Sequence, residues 1–111
     1  MGHIQVREFN HKKGTEMAGY LIAELNVTDQ ELFAEFATKI VELVKDYDGR
    51  YLVRGGETEV IEGDWSPQRV VVIEFDSYER VQAFAHSAEY KELAEIRSNS
   101  STSSTIIVDG V

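Results

Sequence analysis

Residues Arg50 to Phe75 constrain this chain more than any other stretch. Two apolar segments, Arg50-Tyr51-Leu52-Val53 and Arg69-Val70-Val71-Val72-Ile73-Glu74-Phe75, flank a connection that carries Gly55-Gly56, Glu62-Gly63-Asp64, the single tryptophan (Trp65) and the single proline (Pro67). β-Branched and aromatic residues pack well on a pleated surface, while glycine and proline interrupt it, so the pattern predicts an antiparallel hairpin. Gly55-Gly56 predicts a bulge or turn. It does not read as a phosphate loop, because no Lys-Ser/Thr follows and no helix starts there. Thr58 to Ile61 is a candidate continuation of the first segment.

The flanks of the hairpin have matching halves. Tyr20 to Val27 reads as a strand with Leu21, Ala23, Leu25 and Val27 on one face and Tyr20, Ile22, Glu24 and Asn26 on the other. Thr28 as N-cap with Glu31 three residues on predicts a capping box. Phe33, Phe36, Ala37, Ile40, Val44 and Tyr47 then recur at helical spacing, until Asp48-Gly49 ends the helix. After the hairpin, Asp76 or Ser77 caps a helix over Tyr78 to Ala85. His86-Ser87 breaks it, and Ser87 recaps a short helix through Tyr90, Leu93 and Ile96. Asn99 to Ser103 reads as a polar loop, and Thr105 to Val108 as the last strand. The order β-α-β-β-α-β predicts an α+β, ferredoxin-like fold: a four-stranded antiparallel sheet with two main helices on one face. Val70 and Val72 alternate with Val71 and Ile73, so both faces of this sheet are apolar. An uncovered apolar face marks an interface, which points to a two-fold homodimer with the open sheet faces packed together.

Composition narrows the classes of function. A chain of 111 residues with 42% hydrophobic residues is one globular domain. Residues 1–16 are polar and poorly periodic and read as an N-terminal extension, a cloning remnant or a mis-called start, which leaves 17–111 as the domain. A net charge of −9 argues against nucleic acid and anionic membrane surfaces as partners. Removing Arg7, Glu8, Lys12, Lys13 and Glu16 with the extension leaves the balance acidic. No apolar run approaches a membrane span. The absence of cysteine rules out disulfides and thiolate chemistry and is compatible with a cytoplasmic location.

The motifs also resemble a known group. Gly49-Arg50-Tyr51-Leu52-Val53-Arg54-Gly55-Gly56, Val60-Ile61-Glu62-Gly63-Asp64-Trp65, Pro67-Gln68-Arg69 into Val70–Phe75, Ser87-Ala88-Glu89-Tyr90, Arg97 and Val108-Asp109-Gly110-Val111 occur in order. On these residues, 17–111 resembles the dimeric α/β-barrel superfamily, and within it a bacterial branch of small proteins that is a domain of unknown function. The wider superfamily includes cofactor-free oxygenases, muconolactone isomerases, haem-degrading enzymes and stress-response barrels, each with a cleft between sheet and helices. The resemblance implies that architecture but no reaction, because one fold hosts many functions. Two features depart from the branch: the extension, and the Ser/Thr-rich run Ser98 to Thr105, which bears on the length of the last helix.

Three sets of residues are candidates for function. Arg54, Arg69 and Arg97 offer planar forks that grip a carboxylate or phosphate; the competing reading pairs them with Glu62, Asp64 or Glu74. Glu24 and Glu74 interrupt apolar strands on the face directed at a partner sheet. Two desolvated carboxylates there would suit a general acid and base; the competing reading neutralises them with Arg54 or Arg69 or leaves them at a wet strand end. Trp65 and Tyr90 are candidates to wall a site for a flat ligand, or to act as a loop anchor and core. His86 has neither a cysteine nor a second histidine outside the extension, so no metal or haem ligand set is evident and it reads as a surface or capping residue. The expectation is a small anionic or aromatic organic molecule, oriented by Arg54, Arg69 and Arg97 and turned over without a cofactor through Glu74 with Glu24 or Glu62. The alternative is a stress-response or interaction module in which the same residues stabilise the dimer.

Overall fold

A computed structural model describes residues 17–111; the expectations for the extension lie outside the described residues. The elements are β1 (Gly19–Val27), α1 (Gln30–Asp46), β2 (Arg50–Arg54), β3 (Arg69–Phe75), α2 (Tyr78–Ala85), α3 (Ala88–Ser100) and β4 (Ser101–Asp109). The four strands form one antiparallel sheet in the order β2-β3-β1-β4, with β1 and β3 at its centre. This is the ferredoxin-like α+β fold.

The helix-facing side is the core. Leu21, Ala23 and Leu25 of β1 and Ile73 and Phe75 of β3 are buried against Phe33, Phe36, Ile40, Leu43 and Val44 of α1 and Val81 and Phe84 of α2. Phe75, Val81 and Phe84 are fully excluded from solvent, and the Phe75 and Phe84 rings lie 4.9 Å apart between centroids. The strand register puts Tyr20, Ile22 and Glu24 of β1, Val70, Val72 and Glu74 of β3 and Ile106 and Val108 of β4 on the opposite face. No helix among the described residues covers that face, and Val53, Ile106 and Val108 are exposed there.

Several local expectations change. Asp29, not Thr28, is the N-cap of α1: its Oδ1 accepts from Leu32 N–H at 3.1 Å, so no capping box with Glu31 forms. Thr28 N–H is instead committed to the Ser100 carbonyl, 2.8 Å away, which ties the end of β1 to the end of α3. Residues 58–61 do not extend β2, because no strand lies beside them; Val60 and Ile61 are solvent-exposed. Of the bulge or turn expected at Gly55-Gly56, Gly55 makes the turn, and a bulge falls in addition at Leu52. There is no loop at 99–103: α3 passes directly into a nine-residue β4. The serine hydroxyls make this junction possible by donating back to helix carbonyls, Ser100 to Ile96 at 2.8 Å and Ser101 to Arg97 at 2.7 Å, so both side chains are buried with their polar groups satisfied. Ser77 and Ser87 cap α2 and α3 as expected.

Candidate functional site

Between the sheet and α1 and α3 lies a pocket walled by aromatic and aliphatic side chains. Phe33, Phe36, Phe84, Tyr51 and Tyr90 supply the rings, and among the described residues Arg54, Arg69 and Arg97 are the charged ones that line it. The pocket is a narrow slot of about 60 Å³. An adjoining open groove of about 410 Å³, lined by Gln68, Gly55 and Arg69 among others, shares Phe33, Ala37 and Arg69 with the pocket.

Each arginine arrives by a different local device. In a regular strand Tyr51 and Arg54 would point to opposite faces. The register shift between Tyr51 and Val53 makes Tyr51 oppose Ile73 and Arg54 oppose Val71, both on the helix side. The bulge thus re-aims Arg54 into the pocket, a usual role for such a residue. Its guanidinium sits 4.7 Å from the Tyr51 ring centroid. Arg69 opens β3 opposite Leu25, 5.7 Å from the Phe33 ring. Behind it is Gly55, with φ 74°, whose N–H closes the hairpin onto the Val70 carbonyl at 2.9 Å. A Cβ at Gly55 would come 2.6 Å from Arg69 Cζ, so glycine is required both for the backbone and for the guanidinium. Arg97 lies in the last turn of α3, between the Phe36 and Tyr90 rings at 5.9 and 5.6 Å, and donates to Tyr90 Oη at 2.7 Å.

The pocket's electrostatics are one-sided. Among the described residues no carboxylate is within ion-pair distance of Arg54, Arg69 or Arg97; the ion pairs there are Lys39–Glu35, Arg50–Glu74, Arg50–Asp76 and Arg80–Asp48. The Nε of Arg69, the Nε of Arg97 and the Oγ1 of Thr105 are buried and have no hydrogen-bond partner. Burial pushes the Tyr51 phenol above its ordinary 10.0, with Arg54 and Arg69 pulling the other way.

The residues singled out from the sequence therefore divide. Arg54, Arg69, Tyr90 and Arg97 come together in the pocket. Glu24 and Glu74 lie on the opposite face of the sheet, and four register positions separate them: Glu74 faces Tyr20, and Glu24 faces Val70. At the usual strand rise that is about 13 Å, too far to share a proton. Glu24 accepts from Trp65 Nε1 at 3.1 Å, so Trp65 anchors the hairpin connection over the open face, 62% exposed. Together with Ile22, Val70, Ser104 and Ile106 they line a separate groove of about 300 Å³. Glu74 accepts from Tyr20 Oη at 3.1 Å and pairs with Arg50 at 3.1 Å, not with Arg54 or Arg69. Glu62 is exposed in the connection and lines neither cavity. His86 is the exposed C-cap of α2. Among the described residues no group of three His, Cys, Asp or Glu is placed to hold a metal, and no helix is long and apolar enough to cross a membrane. Sequence reasoning overlooked Tyr51 and Thr105. Both are strand residues on the helix side, and the alternation of polar and apolar positions is the signal that could have found Thr105.

Solved structures with the same architecture share little sequence with the chain. A protein of unknown function from Rhodopseudomonas palustris aligns with a TM-score of 0.68 at 14% identity, over 86% of this chain and 84% of its own. SnoaB, a cofactor-independent oxygenase from Streptomyces nogalater, aligns with a TM-score of 0.62 at 12% identity, over 86% and 94%. A putative antibiotic biosynthesis monooxygenase from Caulobacter crescentus aligns at 0.53 and 17% identity, over 86% and 92%. These likenesses establish the fold. No curated protein matches the chain. One family matches residues 18–111, nearly the whole of the described structure, and the chain therefore belongs to the family described as Domain of unknown function (DUF1330).

Proposed function

We propose that this protein binds a small organic anion with a flat, apolar body in the pocket between the sheet and α1 and α3. The observation that carries this reading is the meeting of three guanidinium groups with an aromatic-walled pocket that no carboxylate of the described residues lines. Arg54 is exposed and Arg69 and Arg97 are half-buried, but the Nε of Arg69 and the Nε of Arg97 are themselves buried, and among the described residues neither has a partner. The rings match a flat apolar body, and the planar forks match a carboxylate.

Turnover of the ligand without a cofactor, of isomerase or oxygenase type, is the enzymatic form of the same proposal. The oxygenase activity belongs to SnoaB by name and comes to this chain only by analogy of fold. Acid-base work in the pocket would fall to Tyr51 or Tyr90, which line it, rather than to Glu24 and Glu74, which lie across the sheet. The second reading, an interaction module of the stress-response kind, draws on the open sheet face. Exposed Val53, Ile106 and Val108 favour a homodimer with the open faces packed together, the arrangement of a dimeric α/β barrel. The two readings are compatible, since ligand and partner would use opposite faces. A cysteine-free chain also fits a cytoplasmic protein.

Thermal unfolding in the presence of benzoate tests the binding reading. Benzoate in excess over its Kd should raise Tm by several degrees for the unmodified chain, and benzyl alcohol should not. In the Arg69→Gln/Arg97→Gln double variant the benzoate shift should fall to that of benzyl alcohol. Equal shifts with benzoate and benzyl alcohol, or a shift that survives in the double variant, would count against the pocket.

A further inference from the structure

We infer that the ligand is a dianion: two carboxylates carried at separate positions on one flat apolar body. The inference rests on the proposal that the pocket binds an organic anion and specifies which kind. Its basis is the pair of orphan donors. Arg69 Nε and Arg97 Nε are both buried without an acceptor, and they come from different elements, the start of β3 and the last turn of α3. A buried charged donor left unpaired is costly, and two of them require two acceptors.

The two sites are offset along the pocket. Arg69 lines both the inner pocket and the open groove, whereas Arg97 lines only the inner pocket. Arg69 rests over Phe33, and Arg97 over Phe36, two residues almost one turn apart on α1 with centroids 5.6 Å from each other. With each guanidinium seated on its own ring, the N–H edges remain available to grip an anion. One carboxylate therefore binds in the mouth at Arg69 and the other at the inner end at Arg97, where Thr105 Oγ1, also unpartnered, offers a further hydrogen bond. The body between them lies against the phenylalanine rings. Arg97 already spends one N–H on Tyr90 Oη, which fixes the guanidinium and leaves the phenol proton free to donate.

Calorimetric titration of the full chain with benzoate, the three benzenedicarboxylates and inorganic phosphate tests this. At least one benzenedicarboxylate should bind about tenfold or more tightly than benzoate, the expected gain from one further charge-assisted hydrogen-bonded contact. Arg69→Gln and Arg97→Gln should each bring that dicarboxylate down to the benzoate level. If benzoate equals every dicarboxylate in the unmodified chain, the dianion inference is overturned while the anion pocket stands. Phosphate binding more tightly than all the dicarboxylates would overturn it in favour of a single compact anion. If no acid binds at all, the pocket reading fails and the inference fails with it. The ligand comparison on the unmodified chain decides the matter even if a variant does not fold.

Discussion

Arg69 is the most constrained side chain of the pocket. It is fixed at the head of a central strand, rests over Phe33, has a buried Nε without acceptor and is backed by a glycine in the left-handed region. Gly55→Ala should therefore affect function more than stability. The backbone strain costs about 1 kcal/mol. The added Cβ cannot coexist with the present guanidinium position, so the arginine must leave it. The expected outcome is a modest loss in Tm together with a fall of about tenfold in affinity for the benzenedicarboxylate that binds best, measured by titration calorimetry. A variant that loses stability but keeps full affinity would show that Arg69 does not hold the ligand. Arg54, Arg69 and Arg97 were legible as candidates because basic residues are outnumbered in so acidic a chain, 11 against 20 acidic ones. Their freedom from carboxylate partners was not legible, because it depends on where the connection carries Glu62 and Asp64 and on the bulge that turns Arg54 to the face opposite Glu74.

At the scale of elements, a one-residue irregularity and a missing loop shape the site. The bulge at Leu52 places Arg54 beside Tyr51 on the helix side. Gly55-Gly56 signals a bulge or a turn, and Gly55 serves the turn, while nothing in Leu52 itself marks the extra residue. The passage from α3 into β4 without a connection is the other case. Seven of the eight residues Ser98 to Thr105 carry small hydroxyls, with Asn99 the exception, a composition that locally favours loops. In the fold the Ser100 and Ser101 hydroxyls satisfy the last helix carbonyls, and nine residues of pairing with β1 hold the strand. The result places Arg97 in the last turn of α3 and Thr105 on the neighbouring strand, both on the pocket. By contrast, the strand faces of β1 and β3 and the caps Ser77 and Ser87 followed from period and capping rules, because their hydrogen bonds are local or their alternation is strict.

Among the described residues, one face of the sheet carries the helices and the pocket and the other is covered by no helix. The fold was legible from element order alone, since two βα units around a hairpin leave few ways to pair four strands. The carboxylates were harder to place. Both Glu24 and Glu74 were correctly assigned to the open face, but their separation along it depends on register, and that is set by tertiary pairing. If the open faces meet in a homodimer, Val72→Lys should disrupt it by burying an unpaired charge at the centre of the interface. Size-exclusion chromatography with light scattering should give the mass of two chains for the unmodified protein and of one for the variant. A single-chain mass for the unmodified protein would exclude the dimer at that concentration.

The central claim is that an organic anion enters the pocket between sheet and helices. Side-chain NMR during a benzoate titration reports on it most directly, because the arginine Nε–Hε and tryptophan Nε1–H signals mark the two faces separately. The account predicts saturable shifts in the Arg69 and Arg97 Nε–Hε signals while Trp65 Nε1–H, bonded to Glu24 on the far side, stays in place. Unmoved arginine signals, or a response confined to Trp65, would contradict it.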